Sequence, residues 1–160
     1  MRENKELEIG GLAFGLTSGI ITTLGLIVGI NSATNSKLAV IAAILTVAVA
    51  DSLSDALGIH LSEESRKDET NKPIWTISLF TFIGKLIFSL IFLAPILLLD
   101  LRIAIRTSII LGLTLIALLA FYVAKRKKES VLKQTFEHVS LAVLVIAISY
   151  YLGSLAGHFV

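Results

Sequence analysis

Asp51 and Asp55 stand four residues apart in the run Ala50-Asp51-Ser52-Leu53-Ser54-Asp55. On a helix, that spacing stacks both carboxylates on one face, with Ser54, Gly58 and Ser62 near it. Two ionised carboxylates one turn apart repel, so the pair calls for a metal cation, a proton or a basic side chain. Lys85, within Phe82-Ile83-Gly84-Lys85-Leu86-Ile87, is the natural basic candidate. It must pair with Asp51 or Asp55, or snorkel to an interface. Pairing favours a switchable or purely structural ion pair over a plain metal site.

Other polar residues extend the set. Ser18 and Thr22 are one turn apart and could offer hydroxyls to a path, although back-bonding to their own helix is the usual fate of such residues. Glu137 and His138 open the last apolar stretch. Glu137 would add a carboxylate if it points inward, or sit at the interface if it does not. His60 lies nine residues beyond Asp51, nearly opposite on an ideal helix, and reads as interfacial. Glu63, Glu64, Asp68 and Glu69 form a solvated loop that could also gather cations. The chain has no cysteine, and its one methionine is Met1. Thiolate and thioether ligands are thus excluded, and the remaining oxygen and nitrogen donors suit Mg²⁺, Ca²⁺, Mn²⁺ or Fe²⁺ rather than Cu(I).

The elements that carry these residues are set by hydropathy. Of 160 residues, 55% are hydrophobic and 16% charged, against roughly a quarter charged in soluble domains. The charges cluster between apolar runs long enough to cross a hydrocarbon core of ~30 Å. Five spans are expected, at about 9–30, 37–59, 74–99, 102–124 and 137–159, in a single membrane domain over residues 1–160. The fold class is therefore an all-α integral membrane bundle of five transmembrane helices. Asp51 falls about 12 Å inside the second span, where an ionised carboxylate costs several kcal/mol. Acidic residues Glu3, Glu6 and Glu8 precede a full-length first span, so it reads as a retained helix rather than a secretory signal.

Ten of the fourteen lysines and arginines fall on the N-terminal side, three on the other (Lys37, Arg102, Arg106), and Lys85 lies within a span. The positive-inside rule puts the N-terminus in the cytoplasm and the C-terminus outside, in the plasma membrane if the cell is prokaryotic. The basic residues flank helices rather than forming one patch, so nucleic acid is not an expected partner; the lipid bilayer is. Gly11, Gly15 and Gly19, then Gly25 and Gly29, give span one small faces. Such faces serve a close helix pair across a homodimer axis or packing within one chain. A homodimer through span one is expected. No internal repeat divides the chain.

Two stretches carry a resemblance. Phe14-Gly15-Leu16-Thr17-Ser18-Gly19-Ile20-Ile21-Thr22-Thr23 resembles the first-helix motif of the vacuolar iron transporter family and its nodulin-21-like relatives. The stretch from Ala50 to Gly58-Ile59-His60-Leu61-Ser62 resembles that family's second-helix ending. Phe136-Glu137-His138 and Tyr151-Leu152-Gly153 are similar to its last helix. The resemblance implies five helices, a dimer, and export of Fe²⁺ or Mn²⁺ from the cytosol. The chain departs from the family at its pore positions: Ser18 stands for an aspartate, Val47 for a glutamate and Asp55 for a methionine. Asp51 replaces a small residue, and the glutamate-rich cytoplasmic domain between helices two and three is missing.

The reading is a divalent-cation transporter rather than an enzyme, with no tightly bound cofactor and with Fe²⁺ or Mn²⁺ as cargo, moved out of the cytoplasm in exchange for protons. Its site is expected at Asp51, Asp55, Ser18, Thr22 and Glu137, with Lys85 as an ion-pair partner. The alternatives are a non-transporting scaffold of the same fold and an intramembrane metal-dependent enzyme, for which G-x-G-D and H-E-x-x-H motifs are missing.

Overall fold

The computed structural model describes residues 2–65 and 74–159, and side chains from residue 9 onward. Arg66, Lys67, Asp68, Glu69, Lys72 and Pro73, from the expected loop, lie outside the described residues. The described chain forms six helices: α1 (Arg2–Thr34), α2 (Lys37–Glu64), α3 (Ile74–Ile91), α4 (Leu93–Leu98), α5 (Leu101–Lys127) and α6 (Val131–Gly157). The five stretches Ile9–Thr34, Lys37–Glu64, Ile74–Leu98, Leu101–Lys127 and Val131–Gly157 are each long and apolar enough to cross a membrane. They mark an integral membrane protein, since backbone groups in hydrocarbon must bond internally.

Helix ends follow from local hydrogen bonding and depart from hydropathy. Hydropathy ends span one at about Ile30, whereas α1 runs on to Thr34. The polar side chains there bond helix carbonyls: Thr34 Oγ1 donates to Ile30 O at 2.7 Å, and Ser32 Oγ to Gly29 O at 3.0 Å. Asn35 then turns the chain at φ 47°, a left-handed conformation that asparagine tolerates. Ser36 caps α2, accepting from the Ala39 amide at 3.2 Å. The α2 helix extends five residues past the expected Ile59, to Glu64. In the third span Pro95 has no amide to offer the Ile91 carbonyl, so α3 ends there and α4 resumes. Lys37 Nζ then donates to Leu99 O at 2.9 Å, satisfying a carbonyl beyond α4. The last span starts at Val131 rather than 137, because Ser130 caps it six residues early.

Helix α1 is the hub and packs against α2, α3, α5 and α6. Its glycines face neighbours in the same chain. A Cβ on Gly11 would lie 2.8 Å from Ile77 O, one on Gly15 would collide with Thr81 O, and one on Gly19 would lie 2.9 Å from Lys85 O. Gly25 and Gly29 face Ser149 of α6, and Gly153 of α6 faces Gly29. Of the two uses expected for the glycine spacing, packing within one chain thus accounts for it. Dispersion and backbone proximity, rather than hydrophobic transfer, reward such contacts in lipid.

The buried apolar core lies toward the face opposite the N-terminus. Ile27, Val40, Ile44, Phe92, Ile96 and Ala104 are fully enclosed. The half nearer the N-terminal face is more polar inside, with Thr81 and Lys85 on the buried side of α3.

Candidate functional site

The buried stripe of α2 is Val40, Ile44, Ala48, Ser52 and Ala56. Asp51 and Asp55 flank it, turned toward α3. Lys85 reaches between them from α3, its Nζ 2.5 Å from Asp51 Oδ2 and 2.6 Å from Asp55 Oδ2. Ser18 of α1 donates its hydroxyl to Asp55 Oδ2 at 2.7 Å. The Lys85 side chain is 1% exposed, while those of Asp51 and Asp55 keep 30% and 20%. The cluster therefore opens sideways, along α2, and is closed on the α3 side. With all three groups ionised it holds one negative charge in excess.

The neighbours explain how a lysine reaches this depth. Gly19 follows Ser18, and a Cβ there would lie 3.3 Å from Lys85 Cγ. Glycine at that position makes room for the aliphatic stem. Thr81, one turn before Lys85, donates to Gly11 O at 3.1 Å and ties α3 to α1. An unpaired charge at mid-membrane costs roughly 2.5–3.5 kcal/mol by insertion scales. The two short ion pairs offset that cost and fix α2 against α3.

Of the expected site residues, the fold brings together Ser18, Asp51, Asp55 and Lys85. Thr22 stays half-buried on α1 and bonds neither carboxylate. Glu137 is exposed on α6, a helix packed on α1 and α5, and does not join the cluster. Among the described residues, no group of three or more His, Asp or Glu side chains converges on a metal position. His60 tilts against Trp75 with ring centres 4.3 Å apart, and its Nδ1 lies 3.3 Å from Ser78 Oγ. It packs on α3 near the start of that helix and takes no part in the cluster. His138 Nδ1 lies 2.9 Å from Gln134 O, its own helix's carbonyl. Its ring lines a cavity of about 240 Å³ between α1, α5 and α6.

The arrangement holds a positive charge at one point against two carboxylates of one helix. Such a point suits an ammonium, and it suits a metal cation if the ammonium withdraws. Comparison of the chain with models of protein families, with curated proteins and with solved structures finds no match.

Proposed function

We propose that the protein is a membrane transporter for a divalent cation of the Fe²⁺ or Mn²⁺ type. In this reading Asp51 and Asp55 bind the cargo, and Lys85 is the resident counter-charge that holds the site when cargo is absent. One observation carries it: two carboxylate oxygens from one helix lie 2.5 and 2.6 Å from the same ammonium nitrogen. They already converge on a single cationic point. Ser18 supplies a hydroxyl beside Asp55. The resemblance to the vacuolar iron transporter family supports the same class, and the altered pore positions fit a site rebuilt around Asp51 and Asp55. Exchange against protons follows if the carboxylates take up protons when they release the cation. The second reading, a scaffold with a structural ion pair, draws on the near-complete enclosure of Lys85.

Vesicle flux and calorimetric titration with Mn²⁺ separate the two. Asp51→Asn and Asp55→Asn are each expected to lower Mn²⁺ affinity at least tenfold, about 1.4 kcal/mol, and to abolish uptake. Binding and flux unchanged in both variants refute the transporter.

The protein acts as a homodimer in this proposal. The faces of α1 that its glycines line are taken up within the chain. The second copy meets the outer arc of α2 instead, where Ala50, Ser54 and Gly58 are exposed beside the open flank of the cluster. Lipid is a poor cover for that flank, because ionised carboxylates there need polar neighbours. The N-terminus faces the cytoplasm on the ten-to-three bias of basic residues. Single cysteines placed at positions 2 and 160 are expected to label from opposite sides of intact cells; labelling of 160 from the cytoplasm reverses the orientation.

A further inference from the structure

Hydroxyls inside a membrane helix ordinarily bond the carbonyl one turn back. Thr17, Thr46 and Thr114 do so at 2.8 Å, Ser78 at 2.9 Å and Thr81 at 3.0 Å. Thr23, Ser52, Ser89 and Ser108 do not: each is 0% exposed, and its oxygen has no hydrogen-bond partner within the protein. An enclosed hydroxyl without a partner loses its bonds to water and gains nothing in return, which disfavours such groups in a packed interior.

Ser108 is on α5, and the other three fall on α1, α2 and α3, the helices that build the ion cluster. Helices α1 and α3 run in the same direction, in a register set by glycine contacts: Gly11 with Ile77, Gly15 with Thr81, Gly19 with Lys85. Each step is four residues on both helices, so the next step pairs Thr23 with Ser89. That layer lies one turn from Lys85, on the side away from the N-terminal face. Ser52 follows Asp51 on the enclosed side of α2. Three unpartnered hydroxyls from three helices thus stand beside the ion cluster, between it and the apolar layer of Ile27, Ile44 and Phe92.

The geometry points to an internal water site held by Thr23, Ser52 and Ser89. A water molecule needs two to four polar partners to stay in an interior, and each hydroxyl both donates and accepts. The water supplies the bonds the helix carbonyls do not, and it gives the aspartate–lysine cluster a polar neighbour toward the far face. The site stands whether or not the cluster carries a metal cation.

Thermal unfolding and infrared difference spectra of the full chain in lipid nanodiscs test it. If water fills the site, Thr23→Val and Ser89→Ala each remove one of its partners and lower the unfolding midpoint by about 3 °C, while Thr23→Ser keeps the wild-type value. A wild-type O–D stretch that shifts between D₂¹⁶O and D₂¹⁸O is expected to persist in Thr23→Ser and vanish in Thr23→Val. In a dry core the apolar substitutions remove an unmet hydroxyl, so midpoints that hold or rise in both variants overturn the site. A wild-type spectrum without an isotope-sensitive internal band overturns it equally, even if a variant fails to fold.

Discussion

Replacing Lys85 with methionine is expected to destabilise the metal-free protein by about 3 kcal/mol, and Mn²⁺ is expected to restore most of that loss. Methionine keeps the volume of the buried stem, so the effect reports charge rather than a cavity. Removing one partner of a buried ion pair costs roughly 3–5 kcal/mol, because the other is left uncompensated. Here the lower end applies, since Asp51 and Asp55 are only partly enclosed, keeping 30% and 20% exposure. A divalent cation at a hundred times its Kd returns about 2.7 kcal/mol. In the wild type the same cation has to displace an ammonium held at 2.5 and 2.6 Å, so its stabilising effect is smaller. Thermal unfolding of both proteins with and without Mn²⁺ checks this. A Lys85→Met protein that Mn²⁺ does not stabilise would reduce the cluster to a structural ion pair.

Gly15→Leu is expected to cost about 3 kcal/mol or more while leaving the mass of the assembly unchanged. Its Cβ would run into the carbonyl oxygen of Thr81, a backbone atom that cannot swing aside. Relief requires α1 and α3 to separate, which also pulls on the Lys85 stem beside Gly19. Overpacking in a tight interior usually costs 1–3 kcal/mol, and a backbone obstacle puts this site at the top of that range. Gly58→Leu is expected to behave in the reverse way. A Cβ there meets nothing within 4 Å, so stability holds, but the leucine obstructs the face of α2 assigned to a second copy. Unfolding midpoints and native mass measurements on the two variants decide. If Gly15→Leu separates dimers without loss of stability, the contact between copies runs through α1 after all.

Hydropathy was sufficient to read five spans, because stretches of 25 to 28 mostly apolar residues per crossing leave little room for another partition. It misjudged their ends where polar residues bond helix carbonyls, as Thr34 and Ser32 do, or where a serine cap starts a helix early, as Ser130 does. Which way Glu137 turns was left open, because the sequence does not say which face of α6 meets α1 and α5. The pairing of Lys85 with Asp51 and Asp55 was legible, since a buried ammonium has few other options. The partner of the glycine face was not: four-residue spacing announces a close approach but not which helix makes it. The same ambiguity attended the threonines. Thr22 shares a face with Ser18, yet its neighbour Thr23, about 100° around the helix, is the one turned fully inward.

The seam between α1 and α6 joins the first and last of the described helices. Gly153 meets Gly29, and Gly157 meets Ala33, across more than a hundred intervening residues. During synthesis the first helix therefore enters the bilayer long before the surface that closes one of its sides exists. Until α6 has been made, that groove is open to lipid or to whatever insertion machinery shelters it. A chain cut short before α6 keeps the aspartates and the lysine and leaves the seam unsealed.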